Sequence, residues 1–114
     1  MNEQEHDEDI LRRMEVAPLH AEGIKGEGVS VAIIDSGMRH RRTPQDRIEE
    51  DLDFTGGGRP RHRDGHHGET VGKCVHLVAP MARLGNFRVA GKTGGMRKEW
   101  VIAALQHCID VFPK

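Results

Sequence analysis

The chain has 114 residues, with 17 Lys and Arg against 18 Asp and Glu, 8 His, and a formal net charge of −1. That length makes one domain with a modest core, and the balanced charge gives no electrostatic footprint for nucleic acid or an anionic membrane surface. Residues 1–9 are acidic and have no apolar core, so neither a signal peptide nor a membrane anchor is expected, and the expected compartment is the cytoplasm.

In chain order, residues 1–16 are an acidic N-terminal extension. They are expected to carry a short helix over 9–16, capped by Asp7 or Asp9, with Ile10, Leu11 and Met14 on one face and Pro18 following its end. Residues 17–114 are expected to form one α/β unit, a short parallel sheet flanked by helices. Gly23, Gly26 and Gly28 precede a strand instead of following one, so they do not form a dinucleotide phosphate loop, which must leave a strand and open a helix.

Residues 29–34 are almost continuously β-branched or small and apolar, the pattern of a strand covered on both faces, and the run ends on Asp35. A carboxylate at the C-terminal end of an internal parallel strand is costly unless a cation or a hydrogen-bond donor meets it. That edge is also where α/β folds build their sites.

Residues 38–63 are polar and rich in Arg and Gly, and they are expected to form a long loop, either site-bearing or solvated. Leu52 and Phe54 are its apolar anchors, enough for a short edge strand. Four histidines, His40, His62, His66 and His67, fall between the first strand and the next helix.

Val71, Cys74, Val75 and Val78 recur at helical spacing over 68–78, and Pro80 closes that helix. Residues 82–89 give a second strand, less apolar than the first and interrupted by Gly85, and 91–95 give a turn. Trp100, Val101, Ala104, Leu105, Cys108 and Ile109 then mark an amphipathic helix facing a sheet. Cys74 and Cys108 are expected to be buried free thiols. His76 and His107 are expected at helix surfaces, Trp100 at the core or its rim, and Met81 and Met96 in gaps or turns.

Chemistry concentrates at Asp35 and at the run Asp64-Gly-His-His67-Gly-Glu-Thr. Two elements of one α/β layer can bring a strand end and a helix start together. If His67 meets Asp35 there, the carboxylate holds the imidazole through Nδ1 and leaves Nε2 free to take a proton.

Residues 26–37, Gly-Glu-Gly-Val-Ser-Val-Ala-Ile-Ile-Asp-Ser-Gly, resemble the first block of the subtilases, or subtilisin-like serine peptidases. Asp64-Gly-His-His67-Gly68-Glu-Thr-Val resembles their second block, and Val78-Ala-Pro80 followed by a strand and a helix resembles the continuation. The resemblance spans about residues 16–110. It implies part of a subtilisin-like three-layer fold, serine endopeptidase chemistry on a peptide or protein substrate, Asp35 as orienter and His67 as general base, with no cofactor or metal.

Several positions depart from the family pattern. Glu69 and Thr70 replace the usual Thr and His after His67-Gly68, Gly72 and Lys73 replace Ala-Gly, and the family's His-Pro-Asp-Leu has no clean counterpart over 39–46. The oxyanion Asn and the Gly-Thr-Ser-Met-Ala nucleophile block would lie beyond Lys114. The chain's serines are Ser30 and Ser36, one inside the strand and one attached to the orienting Asp. Neither can be presented to His67, so the isolated chain is expected to be inactive, lacking both the covalent step and the oxyanion donors.

Rival readings fit less well. Cys74 as nucleophile lies about 10 Å, or two helical turns, from His67. A metal site of His62, Asp64, His66, His67 and Glu69 matches no compact ligand spacing, and Arg59, Arg61 and Arg63 oppose a cation. A non-catalytic interaction module, or half of a split peptidase, follows from the open sheet edge that a few-stranded unit must leave. Its partner would be a C-terminal half-enzyme or a second copy, with no nucleic acid or membrane involved.

Overall fold

The fold is mixed α/β in a computed structural model that describes residues 1–38, 43–56, 66–91 and 95–113. Four α-helices accompany a sheet of three parallel strands among these residues: α1 (Glu3–Arg13), α2 (Ala17–Ala21), β1 (Ser30–Asp35), β2 (Ile48–Asp53), α3 (His66–Val78), β3 (Arg83–Arg88) and α4 (Lys98–Asp110). No helix among the described residues is long and apolar enough to cross a membrane.

The strand order is β1-β3-β2. Among the described residues β1 lies at an edge and the more polar β3 takes the centre, so the expectation of an internal β1 is not met within this three-stranded sheet. In β3, Leu84, Gly85, Asn86, Phe87 and Arg88 are all buried, whereas Ile33 is the buried residue of β1. An unbroken apolar run reports covered faces and says nothing about which edge is paired. β3 runs through Gly85 because a Cβ there would come within 2.7 Å of the Phe87 ring.

Side chains alternate between two faces. Ile33 and Leu84, with Val31 and Ile48, pack on Met38 and on Val75 of α3. Phe87 and Val89, with Ala32 and Ile34, pack on Ala104, Val101 and Cys108 of α4 and on Phe112. Phe87 is fully buried, with Phe112, His107 and Phe54 edge-on at 5.3, 5.4 and 6.0 Å between ring centroids.

The expected long loop over 38–63 is interrupted by a 3₁₀ turn, Gln45–Arg47, and then by β2, whose sequence is IEEDLD. β2 pairs with β3 through a register shift between Ile48 and Glu50, which turns Glu50 toward α4 and Asp51 and Asp53 toward α3.

α1 begins well before residue 9. The Asn2 side chain accepts from the Glu5 amide at 2.8 Å, so Asn2 is the cap, and Asp7 and Asp9 lie inside the helix. Acidic residues in its first turn and Arg12 and Arg13 in its last complement the helix dipole. Pro18 opens α2, a position that needs no amide hydrogen, instead of trailing the earlier helix.

α1 buries none of its residues. It is tied to α3 by Lys73, whose Nζ lies 3.1 Å from Glu3 Oε1 and 3.3 Å from Asp7 Oδ1. The hydrogen bond to Glu3 is the main cause holding the Lys73 pKa above its ordinary value.

Candidate functional site

Two chain segments converge at the C-terminal edge of the sheet, on the α3 side. β1 ends at Asp35, and the chain turns out through Gly37 at φ 90°, a left-handed conformation suited to glycine. That turn aims the Gly37 carbonyl at the first turn of α3. The Gly68 amide donates to Ser36 Oγ at 3.2 Å, and a Cβ on Gly68 would fall 2.0 Å from the Gly37 oxygen. Only a residue without a side chain permits this approach, so the two glycines bring the strand end and the helix start into backbone contact.

Asp35 is half-buried, and its Oδ1 accepts from the Ser36 amide at 2.6 Å. Val89 N donates to the Asp35 carbonyl at 2.8 Å, fixing the residue's backbone against the strand that leaves β3. His67 lies in the first turn of α3, next to Gly68, and its imidazole is outside the described residues. The backbone therefore brings together the two segments that carry Asp35 and His67.

The register adds residues that the sequence reading missed. Asp35, Arg88 and Asp53 pair side by side across the three strands, and alternation sends all three toward α3. Arg88 is 4% exposed, and its Nε donates to the Ala90 carbonyl at 2.8 Å. Asp53 Oδ1 accepts from the Thr55 amide at 2.8 Å and from its hydroxyl at 2.6 Å. The register sets Arg88 between Asp35 and Asp53 in that row. Its signal in the sequence is an Arg at the end of a strand that also carries Arg83 and Asn86, which is legible only once the register is known.

Neither serine is placed as a nucleophile. Ser30 opens β1, at the opposite end from Asp35, and donates to Glu49 Oε2 at 3.0 Å. The Ser36 hydroxyl accepts the Gly68 amide and so serves as the tie between the two segments.

The cysteines are free, but Cys74 is exposed and Cys108 half-buried, so the expectation of buried thiols fails for Cys74. Cys74 falls on the solvent side of α3 because Gly72, packed against Met38 and Thr43, marks the inward one. Burial, with the Glu50 charge second, pushes the Cys108 thiol up.

Two histidines expected at the surface are partly inside. The His107 Nε2 meets Glu50 Oε1 at 3.1 Å while its ring packs on Phe54 and Phe87, because α4 rolls that flank toward β2. His76 is half-buried, and its Nδ1 has no partner among the described residues. Burial first, and Arg47 second, lower its pKa.

No group of three or more His, Cys, Asp or Glu side chains among the described residues is arranged to hold a metal. Four members of the metal reading, His62, Asp64 and the side chains of His66 and His67, lie outside those residues, as do His40, Arg59, Arg61 and Arg63. No family model matches the chain, and no curated protein does.

Proposed function

We propose that this chain is part of a subtilisin-like serine endopeptidase, in which Asp35 orients His67 as general base and the nucleophilic Ser and oxyanion donors come from outside these 114 residues. The observation that carries the reading is the contact between Gly68 and the Ser36-Gly37 turn. It joins the two sequence blocks in which this chemistry needs the orienter and the base, with a glycine where each must approach the other.

In this reading Asp35 accepts from His67 Nδ1–H and holds the tautomer whose Nε2 takes the proton of an incoming Ser hydroxyl. Ser36 ties the two segments together through the Gly68 amide. With Ser30 and Ser36 committed to Glu49 and to Gly68, no covalent step begins within the chain.

The test is hydrolysis of a fluorogenic peptide by the purified chain, alone and mixed with a polypeptide bearing the Gly-Thr-Ser-Met-Ala block. The chain alone is expected to be inactive and the mixture active, with roughly a 10⁴-fold loss for Asp35→Asn, as when a triad's orienting Asp is replaced. Turnover by the chain alone that disappears in His67→Ala would contradict the need for an outside nucleophile. Activity of the mixture that survives both substitutions would contradict the assigned roles.

A further inference from the structure

Two features of the sequence have no part in the candidate site. One is the acidic extension that opens the chain, and the other is Lys73, which stands where the block that residues 64–71 resemble continues with Gly.

The fold joins them. Lys73 Nζ lies 3.1 Å from Glu3 Oε1 and 3.3 Å from Asp7 Oδ1, so one ammonium is shared by two carboxylates of α1. Glu3 and Asp7 are four residues apart and share a helix face, so Lys73 holds both only while residues 3–7 are helical. Asp7 Oδ1 is shut off from solvent, and the Lys73 ammonium is the charge that faces it. A carboxylate oxygen so placed is costly without its cation. Asp9, in contrast, pairs within the helix with Arg12 and Arg13.

The rest of α1 is weakly held. It is 11 residues long and buries none of them, with Ile10 and Leu11 only partly covered. A helix this short and this exposed is marginal in water by itself. Beyond it the chain runs through exposed Met14 and Glu15, and Glu15 takes a left-handed φ of 58° before Val16 enters the core. The extension is therefore anchored at Val16, turns at Met14 and Glu15, and is fastened near its far end by Lys73.

We infer that residues 2–13 are a strap that closes on α3 through Lys73, helical when fastened and an unfolded acidic tail when released, with the balance between the two set by charge. Closed, it covers a flank of α3 one residue round from Gly72, the position that packs on Met38 and Thr43. Released, it bares Lys73. The helix it closes on carries His67 and Gly68 in its first turn, so the strap bears on the candidate site through α3. The inference does not depend on the peptidase reading.

Amide exchange on the full chain, read by nitrogen-15 NMR over residues 6–13, tests the strap. These amides are expected to be protected at low salt and to lose about 3- to 10-fold of that protection in 1 M salt, the range for two exposed ion pairs. Lys73→Met should lose as much at low salt and respond no further to added salt, because the charge that salt screens is already gone. Lys25→Met, the same change at an exposed loop position, should keep the wild-type protection. Amides of β3 should stay slow throughout, which separates release of the strap from unfolding of the domain. Protection over 6–13 that survives Lys73→Met at low salt, a salt response as large in Lys73→Met as in wild type, or a loss that spreads to β3 would each overturn the inference.

Discussion

Gly68→Ala is the sharpest perturbation of the joint between the two segments. The new Cβ would sit 2.0 Å from the Gly37 oxygen, 2.8 Å from its carbonyl carbon and 3.2 Å from its nitrogen, all backbone atoms with no rotamer to yield. Overpacking of this kind costs about 1–3 kcal/mol. Losing the Gly68–Ser36 hydrogen bond adds about 1 kcal/mol. Alanine's better helix propensity returns about 1 kcal/mol, so the net loss is about 1–3 kcal/mol.

Gly72→Ala supplies the control in the same helix. Its Cβ would meet Met38 Sδ at 2.2 Å, the mobile end of a flexible side chain, and Thr43 Oγ1 at 3.3 Å. Met38 can shift and the helix gains its alanine, so this variant should lie within about 1 kcal/mol of wild type. Urea unfolding reads the difference, with an m-value of about 1–3 kcal/mol/M that puts the Gly68→Ala midpoint about 1 M below that of Gly72→Ala. Equal midpoints, with the Ser36 and Gly37 amide resonances unmoved in Gly68→Ala, would refute the close-packed joint.

Other perturbations test separate parts of the molecule. Phe87→Ala removes a fully buried ring held by three others and should cost about 3–5 kcal/mol in the same assay, against less than about 1.5 kcal/mol for Leu52→Ala at 37% exposure. Because α1 buries no residue and is tied to α3 through Lys73, 1 M salt or Lys73→Met should speed proteolysis within residues 3–13 while the unfolding midpoint moves by about 1 kcal/mol or less. His76 has a folded pKa lowered from its ordinary 6.5, so its contribution is complete above pH 6.5 and is lost as pH falls through that value toward the folded one. Stability measured against pH should therefore decline more steeply below 6.5 in wild type than in His76→Gln.

An unbroken apolar run made β1 legible and spacings of three to four made α3 and α4 legible, because both patterns report covered faces. They could not report edges. The order β1-β3-β2 places the polar strand Arg83–Arg88 at the centre and the apolar one outside, since lateral pairing leaves no trace in one strand's composition. β2 was nearly invisible for the opposite reason: Ile-Glu-Glu-Asp-Leu-Asp has poor strand propensity and is held by its partner strand.

The start of α1 is not legible from its apolar residues, because Asn2 and the helix dipole set it. At the site, Asp35 and the glycines were legible because their chemistry demands a strand end and a close approach. Arg88 and Asp53 were not, because their meaning lies in register with Asp35.

The central claim is that Asp35 holds His67 as a base. Nitrogen-15 NMR of the histidine side chains tests it most directly, by reading which ring nitrogen of His67 carries the proton at neutral pH. The account predicts the Nδ1–H tautomer in wild type and its loss in Asp35→Asn, with the fold unchanged. A His67 ring in the Nε2–H form, or one whose tautomer is the same in Asp35→Asn, would contradict it.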